Sequence, residues 1–455
     1  MYDGYYTWML VSASLVLLMT APGLALFYGG MSRSKSVLNM LMMSFSALGV
    51  VGIVYALWGW SMSYGEGGVA MLFANPFDQF GLSGTAPGDY VFVAFQMTFA
   101  VITAALISGA IADRVKFSAW LVFVPIWVTL SYFPLAHQVW GGGFLSGAEG
   151  GLADLLFSGD GGAAVAPIDY AGGTVVHINA GMAGLVLALL IGVRRGFGKE
   201  PMKPHNLTLT MIGAGLLWFG WFGFNVGSIV FVDGTGGEAD LTQFTTETGL
   251  VWLNTTLATC AAMLGWLLVE RIRDGKGTSL GAASGIVAGL VAITPACGNL
   301  SPVGSMVLGA TAGGLCALAV GLKYRFKYDD SLDVVGVHLV GGLVGTVGAG
   351  LLSTTTGLFY GEGVRQLVVQ VVVALYAMLW AGLATLVVGL AIKATIGWRI
   401  TEEEEVDGID FAEHGEAAYD FSGTAGTRRG SLLAGAGAHA ATVPATDTDK
   451  EGASA

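Results

Sequence analysis

Two histidines set in otherwise apolar stretches offer this 455-residue chain its most distinctive chemistry. His177 closes Asp169-Tyr-Ala-Gly-Gly-Thr-Val-Val-His, and His338 closes Asp330-Ser-Leu-Asp-Val-Val-Gly-Val-His. A neutral imidazole carries one N–H donor and one acceptor lone pair and titrates near neutrality, so it can bind a small polar solute or relay its proton. Each histidine has an aspartate eight residues before it and glycines four and seven residues after it (Gly181 and Gly184; Gly342 and Gly345). On a helix those glycines lie on the histidine's own face and leave it smooth for close contact with another helix. A lone buried histidine is commonly structural, but two at matching places in a repeat point to a shared site. An ionisable residue inside a membrane span is a functional candidate by default. Asp169, at the start of its segment, is suited to cap the helix by accepting backbone N–H bonds, with at most an indirect electrostatic effect on a passing cation.

The elements that must position these histidines belong in lipid. Hydrophobic residues make up 54% of the chain and charged residues 11%, against about 25% charged in a soluble domain, too few to clothe a water-facing surface. The 71 glycines are roughly twice the usual share, which predicts helices packed closely on small residues. The first apolar run, Trp8 to Tyr28, has no basic stretch before it and reads as a membrane helix rather than a cleaved signal. Crossing about 30 Å of hydrocarbon takes about 20 apolar residues. Eleven segments qualify, near 8–30, 38–61, 90–112, 117–138, 168–193, 207–230, 249–270, 279–296, 302–322, 334–353 and 366–394.

Lysine and arginine fall on alternate connections. Arg33 and Lys35, then Arg114 and Lys116, Arg194 to Lys203, Arg271 to Lys276 and Lys323 to Lys327 hold most of the 20, and five more accompany the tail; Arg365 alone lies on the other side. Cytoplasmic loops collect such residues. An odd number of spans then places the N-terminus outside and the tail inside. The opposite loops, 62–89, 139–167 and 231–248, are acidic and would mildly concentrate cations. Five crossings separate the histidine-bearing fifth and tenth spans, so they run in opposite senses. The expected fold is an all-α integral membrane protein with two inverted five-helix halves, about 8–193 and 207–353, and an added eleventh helix, about 366–394. The membrane domain is expected over 1–397, an acidic tail over 398–420, and a disordered Gly/Ala/Ser/Thr-rich end over 421–455.

The other chemistry is thin. Cys260, Cys297 and Cys316 lack CxxC spacing and read as packing residues. No carboxylate or cysteine cluster sits within a span, which argues against a redox or hydrolytic enzyme and against any cofactor, and the charge pattern gives no reason to expect nucleic acid. His137, His205, His414 and His439 are read as structural or surface residues.

The chain resembles the ammonium transporter family (Amt/Mep, related to the Rhesus proteins) over about residues 8 to 420. The motifs that carry the resemblance are Ala136-His-Gln-Val-Trp-Gly-Gly-Gly, the Asp169 to His177 run continuing Ile-Asn-Ala, Lys203-Pro-His-Asn, Trp218-Phe-Gly-Trp-Phe-Gly-Phe-Asn-Val-Gly-Ser, Thr294-Pro-Ala-Cys-Gly and Asp333-Val-Val-Gly-Val-His. The resemblance implies a homotrimer in the cell membrane with a pore in each subunit. It places an outer ammonium-recruiting site on Phe99, Trp140 and Ser228, with Phe95 and Trp221 close by, and a closed phenyl gate on Phe99 and Phe224. It further implies that ammonium gives up its proton near the entrance and passes His177 and His338 as ammonia. At the cytoplasmic face it implies an ordered tail packed on the basic loops, including those of a neighbouring subunit, and a PII-type signalling protein that blocks the exits, with Asp333 a contact. Four consecutive glutamates, Glu402 to Glu405, would face the basic loops. An ammonium sensor and a Rhesus-like gas channel are the alternative readings; Trp140 and the style of the tail favour the transporter over the gas channel.

Overall fold

Apolar periodicity with almost no strand signal resolves into helices, seen in a computed structural model that describes residues 2–69, 71–200, 202–229, 232–233, 239–240 and 242–419. The expected disordered end, His439 and part of the acidic 231–248 loop lie outside the described residues. Among the described residues ten helices are long and apolar enough to cross a membrane: α1 Gly4–Met31, α2 Val37–Tyr64, α3 Pro87–Ile111, α4 Phe117–Trp140, α5 Gly173–Ile191, α6 Leu207–Val226, α7 Gln243–Asp274, α9 Pro302–Phe326, α10 Val335–Leu352 and α11 Arg365–Thr395. Between α7 and α9 lies α8, Ser279–Ile293, with 15 residues. At 1.5 Å per residue it spans roughly 22 Å, short of the hydrocarbon thickness, and the chain continues through buried turns to Leu300. Thus ten of the eleven expected spans have the length to cross unaided.

Glycine lets these helices approach backbone to backbone. A Cβ at Gly309 or Gly313 on α9 would run into the carbonyls of Ala258 and Ala262 on α7. Lipid cannot satisfy a polar group, and several buried ones find partners across helices. Trp127 Nε1 donates to Thr385 Oγ1 at 2.9 Å and ties α4 to α11. Asn254 Nδ2 donates to Cys297 O and Leu300 O, at 2.9 and 2.7 Å, and ties α7 to the turns after α8. The outward faces carry large exposed apolar side chains such as Leu10, Ile53, Leu264, Leu268 and Leu379.

The basic loops converge on one end of the bundle. Arg194, after α5, holds the Asp329 carboxylate with Nε at 2.9 Å and with a second guanidinium nitrogen at 2.8 Å. Arg33, after α1, meets Asp113, after α3, at 2.9 Å. Arg114 is fully buried and donates to Gly192 O, Asp329 O, Ala110 O and Ser331 Oγ. Burial pulls its pKa down to about 10, against the support of Asp329, so it remains charged at neutral pH. Burial alone would raise the Asp329 carboxyl, but Arg114 and Arg194 outweigh it and hold it below the usual range.

The tail from Trp398 to Ala418 belongs to the same compact unit as the bundle. Lys116 N donates to Trp398 O, and Trp398 Nε1 donates to Gly389 O on α11 at 2.8 Å. Two short helices follow, Glu402–Asp407 and Ile409–His414. The four glutamates do not act alike. Glu405 is buried and accepts from the Arg195 backbone N–H and from Arg399, both at 2.7 Å. Glu404 closes a capping box with Thr401, as the first turn of a helix favours, and Glu402 lies 4.0 Å from Arg195. The Asp410 carboxylate accepts from the Leu38 and Asn39 N–H groups at 3.1 and 2.8 Å, capping α2.

Candidate functional site: paired histidines beside stacked aromatic rings

Both histidines sit on π-helical turns, Gly173–Ile178 and Val335–Leu339, that begin α5 and α10. An aspartate caps each. Asp169 accepts from the N–H groups of Gly172 at 3.0 Å, Gly173 at 2.5 Å and Thr174 at 3.0 Å, and from the Thr174 hydroxyl. Asp330 accepts from Val334 N at 3.0 Å and Val335 N at 2.8 Å. The first-turn donors of both helices, orphaned by helix geometry, are thereby satisfied by the residues eight before the histidines. Gly172 has φ +113°, which favours glycine where the chain turns into α5. The glycines four residues after the histidines are where the two helices cross. A Cβ at Gly181 would strike the Leu339 backbone, and one at Gly342 would come within 3.2 Å of Gly173 O and His177 Cβ.

This crossing brings the imidazoles together. His177 Nδ1 and His338 Nδ1 are 3.3 Å apart, with ring centroids at 5.4 Å and planes 23° apart. Only one proton fits between the two nitrogens. One ring therefore donates through Nδ1 and keeps a bare Nε2, and the other accepts and carries its proton on Nε2. His177 Nε2 is buried and meets no partner among the described residues.

Beside the pair stands a column of aromatic rings. Trp221 stacks on His177 at 5.5 Å and 18°, held by Nε1 donating to Thr294 Oγ1 at 2.8 Å. Phe224 lies 6.2 Å from His177 and stacks on Phe99 at 4.0 Å and 15°. Phe99 meets Trp140 edge-on at 6.0 Å, and Phe95 lies 4.8 Å from Phe99. Trp140 Nε1 donates to Asp169 O at 2.9 Å, so one residue anchors both the tryptophan and the histidine turn. Ser228 Oγ donates to Phe224 O at 2.8 Å. Trp221, which the resemblance puts near the outer site, stacks on His177 and lies 5.3 Å from Phe224.

His177, His338, Trp221 and Phe224 line an enclosed cavity of about 10 Å³, with Val176, Leu106 and other apolar side chains around it. That is about the room of one water. A wider vestibule of about 440 Å³ opens at the basic end, lined in part by Arg194, Arg273, Lys323 and Asp333. Asp333 there pairs with Lys323 at 2.6 Å. His137, His205 and His414 stand apart from this line: their ring nitrogens meet Ser63 O, Ser32 O and Asn39 Oδ1. Thr294 and Lys323 received no role from the sequence. Thr294 stood within a quoted motif, but nothing there linked it to Trp221, whose partner lies 73 positions away.

A membrane bundle with stacked aromatic rings and a small, mainly apolar cavity beside two facing imidazoles is an architecture suited to a small solute. The chain belongs to the Ammonium Transporter Family, whose profile matches residues 7–419. It is 50% identical to an ammonium transporter of Mycobacterium tuberculosis, over 93% of this chain and 92% of that one. It is 43% identical to an ammonium transporter of Bacillus subtilis, over 92% and 99%. Among solved structures, Mep2 of Candida albicans superposes with a TM-score of 0.76 at 31% identity, covering 91% of this chain and 90% of that one. A protein described as a sensor Amt protein superposes with a TM-score of 0.78 at 28% identity, covering 90% and 98%.

Proposed function

We propose that this chain conducts ammonium across the cell membrane by recruiting NH4+ at Trp140, Phe99 and Ser228 and passing NH3 along His177 and His338. The observation that carries this reading is the stacked Phe99–Phe224 pair abutting the histidines and a cavity of one water's size. An aromatic face attracts a compact cation by about 0.5 to 2 kcal/mol, and a hydroxyl can accept its N–H. Beyond the stacked rings there is no room for a hydrated ion, and carrying a fixed charge through the bilayer centre is costly. Ammonia, small and neutral, escapes that cost once its proton is given up. The imidazoles then supply a donor and an acceptor in an otherwise apolar passage, and their shared Nδ1 proton gives the released proton a path.

In this reading α8 and the buried turns after it form the eighth of eleven spans, and the two histidine helices belong to inverted halves. The N-terminus lies outside, and the basic loops and tail lie in the cytoplasm. Subunits form a trimer. The vestibule is the exit that a PII-type protein blocks, with the Lys323–Asp333 pair at its rim. The chain acts as a transporter, not an enzyme. Labelled methylammonium uptake by vesicles holding the purified chain tests the proposal; vesicles no more permeable than protein-free ones would overturn it.

A further inference from the structure

Along the outside of the bundle, away from the passage, α5 and α11 leave an open groove of about 460 Å³. Its walls are wholly apolar: Met182, Val186 and Leu190 on α5 face Leu379, Leu383 and Leu386 on α11, with Gly382 as its floor. From Met182 to Leu190 the groove runs roughly 12 Å, against about 15 Å for one leaflet of hydrocarbon. It occupies the half of α5 nearer the basic loops, and its end is marked by cations. Lys393, exposed on the last turns of α11, donates from Nζ to Leu190 O at 3.1 Å, and Arg399 donates to Val193 O at 2.7 Å. Arg399 is neutralised by the buried Glu405. Lys393 is in none of the ion pairs among the described residues. An ammonium has three donors, and one is spent on Leu190.

We infer that this groove is a site for an anionic phospholipid of the leaflet on the basic-loop side, one acyl chain lying between α5 and α11 and the phosphate headgroup on Lys393. The charge decides the class of lipid. An unpaired cation at the mouth of an apolar channel one leaflet deep favours a net-negative headgroup over a zwitterionic one. The bound chain would brace α5, which bears His177, against α11. The inference requires only that the chain spans a bilayer, whatever it conducts.

The test is native mass spectrometry of the full chain released from nanodiscs of dioleoyl phosphatidylcholine with or without dioleoyl phosphatidylglycerol. No ammonium is involved, so failure here leaves the transport reading untouched. The unaltered chain is expected to retain phosphatidylglycerol preferentially. Lys393→Gln should weaken that retention about fivefold, the effect of one lysine near an anionic surface, and Lys393→Arg should preserve it. Leu383→Trp, placed on a side chain 54% exposed and able to fill the groove without disturbing the core, should lower retention of both lipids. Equal retention of the two lipids by the unaltered chain, or no change in Lys393→Gln or Leu383→Trp, would overturn the inference.

Discussion

His177 and His338, 161 positions apart in sequence, meet through the same ring atom, Nδ1 to Nδ1 at 3.3 Å. The pair therefore cannot be symmetric in its protons. At any moment one Nε2 offers a proton and the other a lone pair, and exchanging these roles requires the shared proton to cross. If that proton is part of the path, replacing both rings with alanine should cut ammonium-evoked current on supported membranes by about two orders of magnitude, the usual worth of a positioned proton carrier. Native-sized current in the double variant would remove the relay and leave the imidazoles as lining only.

The Phe99–Phe224 stack makes a separate prediction. Phe224→Ala removes one ring of a pair 4.0 Å apart and should join the cavity to the outer side. Osmotic water permeability of vesicles, read by stopped-flow light scattering, is expected to rise above that of the unaltered chain. A variant as watertight as the original would place the barrier elsewhere.

Trp140 meets Phe99 edge-on and hangs by its indole N–H from Asp169 O. Trp140→Leu keeps an apolar side chain and loses the ring face and the indole N–H. Methylammonium uptake should show a KM raised by about 2- to 30-fold, the range that follows from the worth of one aromatic–cation contact. Unchanged uptake kinetics would dismiss cation recruitment by this ring.

The knot of charges at the basic end should register in acid. Asp329 is held below the usual aspartate range in the fold, so its stabilising effect is complete above the unfolded value, near pH 4, and is lost as pH falls through the lower folded value. Thermal unfolding of the chain in nanodiscs should therefore drop as pH is taken from about 5 towards 3. Asp329→Asn, which takes the nearest carboxylate from buried Arg114 and Arg194 and leaves Arg194 only Asp113 at 3.6 Å, should destabilise by about 3 to 5 kcal/mol at neutral pH and flatten that acid slope. A slope identical in the variant would assign the acid loss to other carboxylates.

How much of this was legible in the sequence depended on how local the physics was. The histidines announced themselves because an ionisable residue in a 20-residue apolar run has few bland explanations, and the spacing of Gly181 and Gly342 after them marked where the helices cross. Most span boundaries followed hydropathy to within a few residues. α7 did not, since its polar ends extend a helix of 32 residues well past the apolar part. α8 was overestimated because the apolar run continues into Thr294-Pro-Ala-Cys, where the proline-bearing stretch turns rather than coils. The facing of Nδ1 on Nδ1, the turn of Trp221 onto His177 and the seating of Glu405 on the Arg195 backbone depend on partners far away in the chain, and no local pattern encodes them.

The bond from Asp410 to the start of α2 bears on the order in which the molecule is made. The α2 segment leaves the ribosome and enters the bilayer early, whereas the carboxylate that satisfies its first amides is synthesised 371 and 372 positions later. Through most of translation that helix end must borrow water or lipid headgroups in place of its own cap. Only when the Ile409–His414 helix folds back does the second helix acquire its permanent seat, so a late segment completes an element inserted near the beginning.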